Sequence, residues 1–160
     1  MNNVIVNSQE IPQPLWSDFA VYFAQKVLDI INRDNWELSI LFCDDKTITN
    51  LNNQYRNKNE PTDILSFNLG ETITDPSENG EKTTYLAGDI VISLETLREN
   101  ALYFKISEDE ELRRLIIHGI LHLDGMNHDS INSDEPMLLL QEEILNKLKN
   151  ERIITAGGNK

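Results

Sequence analysis

The pattern of apolar and polar positions along the chain predicts helices and strands that do not alternate strictly. Apolar residues recur at helical spacing in some segments, and short apolar or alternating runs between turn-forming residues indicate strands. Helices are predicted at 14–32, 45–56, 94–104 and 136–150, with a further helix after Ser107, and strands at 4–7, 36–43, 63–69 and 87–93. This order predicts an α+β fold with a mixed sheet of about four strands covered by helices.

Two segments of the pattern carry further expectations. Residues 70–85 are polar and rich in turn formers, so they are predicted to form a solvated loop. Ser107 is a predicted N-cap, and Glu110, three residues later, would complete a capping box. The helix that follows is apolar on nearly every side over 115–123, which predicts a central, buried helix.

Length and composition indicate one globular domain. The chain has 160 residues, of which 39% are hydrophobic, enough for a single core. We expect the domain to cover 1–154 and to be followed by a disordered tail over 155–160. The N-terminus lacks a signal-peptide pattern, no apolar run is long enough to span a bilayer, and the single cysteine, Cys43, lies in an apolar run. A cytoplasmic protein without membrane association is therefore predicted, with Cys43 in the core.

The net charge of −13 argues against a generic nucleic-acid binder, because an acidic surface repels phosphate. It does not exclude a local basic patch. Any function that involves RNA requires such a patch.

All three histidines of the chain lie in one stretch of eleven residues, HGILHLDGMNH. His118 and His122 are four residues apart, so on a helix they share a face, with Cβ atoms roughly 6 Å apart. His128 would lie about 15 Å from His118 along the axis if the helix continued, too far to share an ion. Gly125 is placed to end the helix and let the chain return. Together, ligand type and spacing predict a metal site on the buried helix.

Three imidazoles would leave one coordination position open on a tetrahedral zinc ion, which is typical of a catalytic site. Water in that position would have a pKa of about 7, so hydrolysis is the predicted chemistry. We expect one Zn²⁺ per chain, although other divalent transition metals also suit imidazole. Because metal binding requires neutral imidazoles, metal loss is predicted below roughly pH 6.

The spacing H-x3-H-x2-G-x2-H also matches that of metzincin peptidases. Those enzymes carry a glutamate as general base directly after the first histidine, whereas this chain has Gly119 there. A metallopeptidase is therefore the alternative hydrolase.

The histidine stretch resembles the H-G-x-L-H-L-x-G-Y-D-H signature of the YbeY family of bacterial endoribonucleases. Three more blocks are similar to that family: LNNQYRNKNEPTDILSFNLGE (51–71), AGDIVIS (87–93) and MLLLQEEIL (137–145). The resemblance covers roughly residues 36–150. It implies a metal-dependent single-strand endoribonuclease that acts in rRNA maturation, at the 16S 3′ end, and in ribosome quality control.

By this resemblance, His118, His122 and His128 would bind zinc and Arg56 would be the catalytic arginine. The implied partners are single-stranded rRNA and the ribosome or its small-subunit proteins. A ribosome assembly factor with a structural metal is a third hypothesis, and chelation distinguishes it, since loss of a structural metal would unfold the protein. Independently of the family, a guanidinium suits a phosphodiester under attack because it can pair with two phosphate oxygens at once. Whether water or the RNA 2′-hydroxyl attacks the phosphorus is left open by the sequence.

Basic residues near these positions are candidates for RNA binding. Lys58 follows Arg56 closely, and Arg114 is four residues before His118, on the histidine face of the helix. Tyr55 and Phe67 are candidates for base stacking, although a core position is expected for both.

The chain departs from the family signature just before the last histidine, where Met126 and Asn127 replace Tyr and Asp. Asn127 can accept a hydrogen bond but carries no charge, so the role of that position is open. The neighbouring carboxylates Asp124 and Asp129 are expected to be turn residues. For Asp63, a role in bracing a strand is expected.

Overall fold

A computed structural model gives the fold of this chain and describes residues 1–76, 82–128 and 135–155. Its strands are β1 (Asn3–Ser8), β2 (Trp36–Cys43), β3 (Ile64–Asp75) and β4 (Lys82–Ser93). Its helices are α1 (Ser17–Ile30), α2 (Asp45–Arg56), α3 (Leu94–Phe104), α4 (Glu108–Leu123) and α5 (Pro136–Lys147). The predicted tail lies outside the described residues from 156 onward.

The four strands form one mixed sheet in the order β1-β2-β4-β3. Strand β2 is parallel to both β1 and β4, whereas β3 lies at the other edge and is antiparallel to β4. The predicted α+β class and the mixed sheet of about four strands are confirmed.

The helices confirm the predicted periodicity, with small differences at their ends. Helices α2 and α3 match the predicted bounds. Helix α1 is shorter than predicted by three residues at its start and two at its end, and α5 is shorter by three residues at its end. The Ser107 hydroxyl accepts a hydrogen bond from the Glu110 main-chain N–H at 3.0 Å, as an N-cap does. Among the described contacts, the Glu110 carboxylate accepts from Arg114 at 3.1 Å, so Glu110 adds an ion pair within α4.

The predicted loop over 70–85 is wrong for most of the residues that the structure describes there, while 77–81 lie outside the described residues. Strands β3 and β4 continue into it, and Glu71–Asp75 pair in antiparallel register with Lys82–Leu86. The β3 residues there are exposed and the β4 residues become half-buried only from Thr84, so the hydrophobic alternation that marks a half-buried strand is weak. Threonines, which have high β propensity, are frequent in this part of the pair. Gly88 lies at the bulge of this pair with φ +137°, where a Cβ would come within 2.0 Å of the Phe67 carbonyl oxygen.

Helix α4 is the central buried element. It packs on the sheet at β3 and β4 and is flanked by α1, α3 and α5. Gly119 permits the close approach to the sheet, because a Cβ there would lie 2.9 Å from Ile90 Cδ1 and 3.1 Å from Ile64 Cδ1. The core cluster contains residues from α1, α4, α5 and the sheet, including Phe23, Phe42 and Ile116. The predicted central buried helix is confirmed.

Two smaller expectations also have an outcome. Cys43 is fully buried, and burial raises the pKa of its thiol to about 12, as suits a core residue. Within the described residues, no helix combines the length and apolar character needed to cross a membrane.

Candidate metal centre

The end of α4 brings the three histidines together. Gly125 has φ +93°. Two main-chain hydrogen bonds close the helix, one from the Gly125 N–H to the His122 carbonyl and one from the Met126 N–H to the Leu121 carbonyl, both at 3.0 Å. This Schellman arrangement requires a left-handed residue, for which glycine is best suited. The chain then turns back, and His128 comes to lie beside His118 and His122, as the glycine spacing predicts.

The three imidazoles converge on one point. One ring nitrogen of each lies within 4.8 Å of the others, and the ring centroids are separated by 4.6, 5.4 and 5.8 Å. The Nε2 atoms of His118 and His122 are 3.0 Å apart. Nitrogen ligands at about 2.0–2.1 Å from a single ion would be roughly 3.4 Å from one another. The donor set therefore fits a divalent transition metal without a change of backbone.

Burial suits these imidazoles to the neutral form that a metal needs. It lowers the pKa of His118, against the opposing effect of its hydrogen bond with Gln141. It also lowers the pKa of His122, helped by the neighbouring His118 and His128. Contacts of His122 with the Met126 carbonyl and the Asn127 side chain raise that pKa in part. Asn127 thus contacts His122, one of the candidate metal ligands.

Arg56 faces the same cleft as the histidines. It is the last residue of α2, which Asn57 ends in a left-handed conformation at φ 56°. A cleft of about 700 Å³ is lined by Tyr55, Arg56, Phe67 and the three histidines, among others. The Arg56 side chain is exposed and has no ion pair or hydrogen bond with another residue of the described chain. Its guanidinium is thus available to a ligand in the cleft.

The two candidate RNA-binding residues have different surroundings. Lys58 is exposed, close to Arg56 in the chain, but it does not line the cleft. Arg114 lines a second cleft of about 690 Å³ that shares His118 and His128. Its guanidinium is held by Glu142 at 3.0 Å, by Glu110 at 3.1 Å and by Glu111 at 3.8 Å. The charge of Arg114 is therefore already matched by carboxylates.

The two aromatic candidates pack against each other at the cleft. Tyr55 and Phe67 meet edge to face, with ring centroids 5.1 Å apart. Tyr55 is 61% exposed, so the expected core position is wrong for it, whereas Phe67 is half-buried beside the smaller apolar cluster.

The candidate carboxylates have structural partners. Asp124 accepts two hydrogen bonds from Arg33, at 2.7 and 3.2 Å. The main-chain carbonyl of Asp63 accepts from Ser93 at 3.1 Å and its carboxylate from Asn100 at 3.3 Å, which braces the start of β3. Asp129 lies outside the described residues.

Gln141 on α5 is a site residue that the sequence did not reveal. Its side chain is 7% exposed, and its Oε1 lies 2.7 Å from His118 Nδ1. A signal was present, because Gln141 lies in the stripe of α5 that otherwise buries Met137, Ile144 and Leu145. A polar residue inside a buried apolar stripe requires a partner.

The surroundings of Gly119 weigh against the peptidase alternative. The residue after the first histidine is Gly119, and a Cβ there would lie 2.9 Å from Ile90 Cδ1 and 3.1 Å from Ile64 Cδ1, which leaves little room for a larger side chain. The chain therefore lacks the glutamate that metzincin peptidases carry as general base at this position.

Comparisons with known proteins identify the family of this chain. A family model described as "Endoribonuclease YbeY" matches residues 5–149. The protein of that name from Treponema denticola is 51% identical to this chain, over 82% of this chain and 83% of the relative. The one from Treponema pallidum is 41% identical, over 98% of this chain and 95% of the relative. A solution structure from Thermotoga maritima, at 20% identity, shares the fold with a TM-score of 0.58 and covers 98% of this chain and 99% of that one. The resemblance drawn from the sequence blocks is thereby confirmed, and the chain belongs to the YbeY family of endoribonucleases.

Proposed function

We propose that this protein is a metal-dependent single-strand endoribonuclease that acts in rRNA maturation, at the 16S 3′ end, and in ribosome quality control. One observation carries the proposal: three convergent histidines line the same cleft as Arg56, which has no ion pair with any described residue. Family membership supports the endoribonuclease activity. The substrate implies a cytoplasmic location and contact with the ribosome or its small-subunit proteins.

His118, His122 and His128 would hold the metal, for which Zn²⁺ is the favoured ion, one per chain. When bound, such an ion supplies a Lewis acid for a phosphoryl oxygen and an activated water at neutral pH. The lowered pKa values of His118 and His122 support this role, because they keep the imidazoles neutral in the range where the enzyme would work.

Arg56 would bind the phosphate that is cleaved. A phosphodiester gains negative charge as its phosphorus is attacked, and a guanidinium can pair with two of its oxygens. In a chain of net charge −13, an arginine that no carboxylate of the described residues binds is a favourable place for phosphate. Lys58 would extend this local positive charge along the bound RNA. Arg114 is a weaker candidate for the same task because three carboxylates surround it.

Two routes remain compatible with this arrangement. In one, water attacks the phosphorus and leaves a linear phosphate end. In the other, the RNA 2′-hydroxyl attacks and leaves a 2′,3′-cyclic phosphate. Analysis of the cleaved ends distinguishes them, because a cyclic product cannot arise from direct attack by water.

A cleavage gel tests the proposal. Purified protein is incubated with rRNA beside Arg56→Ala and His118→Ala variants, and beside Lys149→Ala, an exposed lysine that lines neither cleft. We expect cleavage by the unaltered protein and by Lys149→Ala only. Equal cleavage by all four proteins would indicate a contaminating nuclease. If naked rRNA and intact ribosomes both stay uncut, the nuclease proposal is wrong.

A further inference from the structure

The hydrogen bond between Gln141 and His118 has a defined direction. The Gln141 Nε2 donates to Glu142 Oε2 at 3.1 Å, and an ionised carboxylate can only accept. Arg114 keeps the pKa of Glu142 below its usual value, so that carboxylate stays ionised. The amide of Gln141 is therefore oriented with its nitrogen toward Glu142 and its oxygen toward His118.

This orientation fixes the tautomer of His118. An amide oxygen only accepts, so His118 Nδ1, 2.7 Å away, must carry the proton. The neutral ring then has its lone pair on Nε2, which is the nitrogen that faces His122 Nε2 at 3.0 Å. The ring nitrogen directed at the metal position is the one able to bind a metal.

The partner of Gln141 is itself held firmly. Arg114 binds both oxygens of Glu142, through Nε and Nη2, each at 3.0 Å. Arg114 stands on α4 four residues before His118, and it is also bound by Glu110 of the same helix. The contacts therefore run from α4 through Glu142 and Gln141 of α5 and return to α4 at His118.

We infer that Gln141, oriented by Glu142 and Arg114, is a positioning residue that fixes the tautomer and ring orientation of His118 for metal binding. This inference rests on the proposed metal site. In this arrangement Arg114 holds the Glu142 carboxylate, and that carboxylate orients the Gln141 amide. Hydrogen-bond partners of metal-binding histidines typically contribute 10–100-fold to metal affinity.

The first test measures zinc affinity by competition with a chromophoric chelator. Gln141→Leu keeps the size of the side chain but removes the acceptor, and we expect a loss of affinity of about tenfold or more. Glu143→Gln is the matched control, because Glu143 lies on the same helix and binds only the exposed Lys147 among described residues. Its affinity should equal that of the unaltered protein. Glu142→Ala, at a half-exposed position, should show a smaller loss than Gln141→Leu.

The second test needs no metal. Two-bond ¹H–¹⁵N spectra of the histidine rings report which nitrogen carries the proton. The metal-free protein should show His118 protonated on Nδ1, and Gln141→Leu should show a mixture of tautomers. A merely structural role for Gln141 would leave this signal unchanged.

The outcomes separate this inference from the proposed function. Unchanged affinity and an unchanged tautomer in Gln141→Leu, with tight zinc binding by the unaltered protein, would overturn the inference alone. Equal zinc affinity in His118→Ala and the unaltered protein would remove the three-histidine site and this inference with it. If Gln141→Leu fails to fold, as circular dichroism would show, the Glu142→Ala affinity and tautomer decide in its place.

Discussion

At the scale of single residues, Arg56 carries the most specific expectation. Arg56→Ala should lower kcat by about 10²–10³-fold, by analogy with the loss of one donor to a developing oxyanion. Zinc affinity should not change, because Arg56 has no hydrogen bond to a histidine among the described residues. Kinetics and a zinc titration on the same preparation check both parts. Arg56→Lys keeps the charge without the two-pronged geometry and should recover only part of the rate.

Tyr55 is exposed at the rim of the cleft, and its edge-to-face contact with Phe67 holds the ring in place. A base of single-stranded RNA could stack on such a ring, and stacking contributes about 1–3 kcal/mol per base. We expect Tyr55→Ala to raise KM about 5- to 150-fold with little effect on kcat. Tyr55→Phe, which keeps the ring, serves as control. An unchanged KM for Tyr55→Ala would exclude stacking here.

The lowered pKa values of His118 and His122 predict a pH dependence. For a base whose pKa is lower in the folded protein, the unfolded chain binds more protons, so stability is lost as pH falls through the usual histidine range. Protonation also removes the lone pair that binds metal. Zinc affinity is measured by chelator competition from about pH 7.5 to about pH 5, the range in which histidine ordinarily titrates. The affinity should fall as the pH is lowered. Constant affinity across that range would contradict binding by imidazoles.

The convergence of the three histidines was predictable from sequence because its signal is local. Spacing on one helix and one glycine place all three histidines, and the structure brings them together as expected. Gln141 was missed because it lies on another helix, 23 positions from His118 in the chain. The ion pair of Arg114 with Glu142 was missed for the same reason, since Glu142 also lies on α5.

At the scale of elements, the close contact of α4 with the sheet predicts how substitutions at Gly119 affect stability. Gly119→Glu would bury a carboxylate against Ile90 and Ile64, and we expect it to lower the free energy of unfolding by about 3 kcal/mol or more. Gly119→Ala adds one methyl group at the same place and should be much milder. Urea denaturation compares the two. A stable Gly119→Glu variant with peptidase activity would revive the metallopeptidase alternative.

Helices with clear caps were predicted best, and the bounds of α2 and α3 were correct to the residue. Each is capped by a side chain, Asp44 for α2 and Ser93 for α3, and each ends at a left-handed residue. The outer half of the β3–β4 hairpin was not predicted, because its β3 side chains are exposed and its β4 side chains become half-buried only from Thr84, which leaves little hydrophobic alternation in the pattern.

At the scale of the whole molecule, the core predicts that the metal is not needed for folding. The apolar cluster joins the sheet to α1, α4 and α5 without the histidines, and three protein ligands are fewer than a structural zinc site normally has. Removal of metal by a chelator should therefore abolish activity and leave the circular dichroism spectrum unchanged. Unfolding on chelation would favour an assembly factor with a structural metal instead.

The sequence predicted the fold class but not the strand order β1-β2-β4-β3. Hydrophobic patterns specify which segments are strands and which faces are buried, whereas pairing between distant strands depends on contacts that no local pattern records. The extent of the domain, 1–154, stays a prediction.

The central claim is that the histidines hold a catalytic metal and that Arg56 acts on the phosphate beside it. The most direct measurement adds Zn²⁺ stepwise to metal-free protein and follows cleavage of an end-labelled single-stranded rRNA fragment. Activity should rise until one ion per chain is bound, His118→Ala should neither bind nor cut, and Arg56→Ala should bind the ion but cut very slowly. Full cleavage by the metal-free protein, or by His118→Ala, would contradict the account.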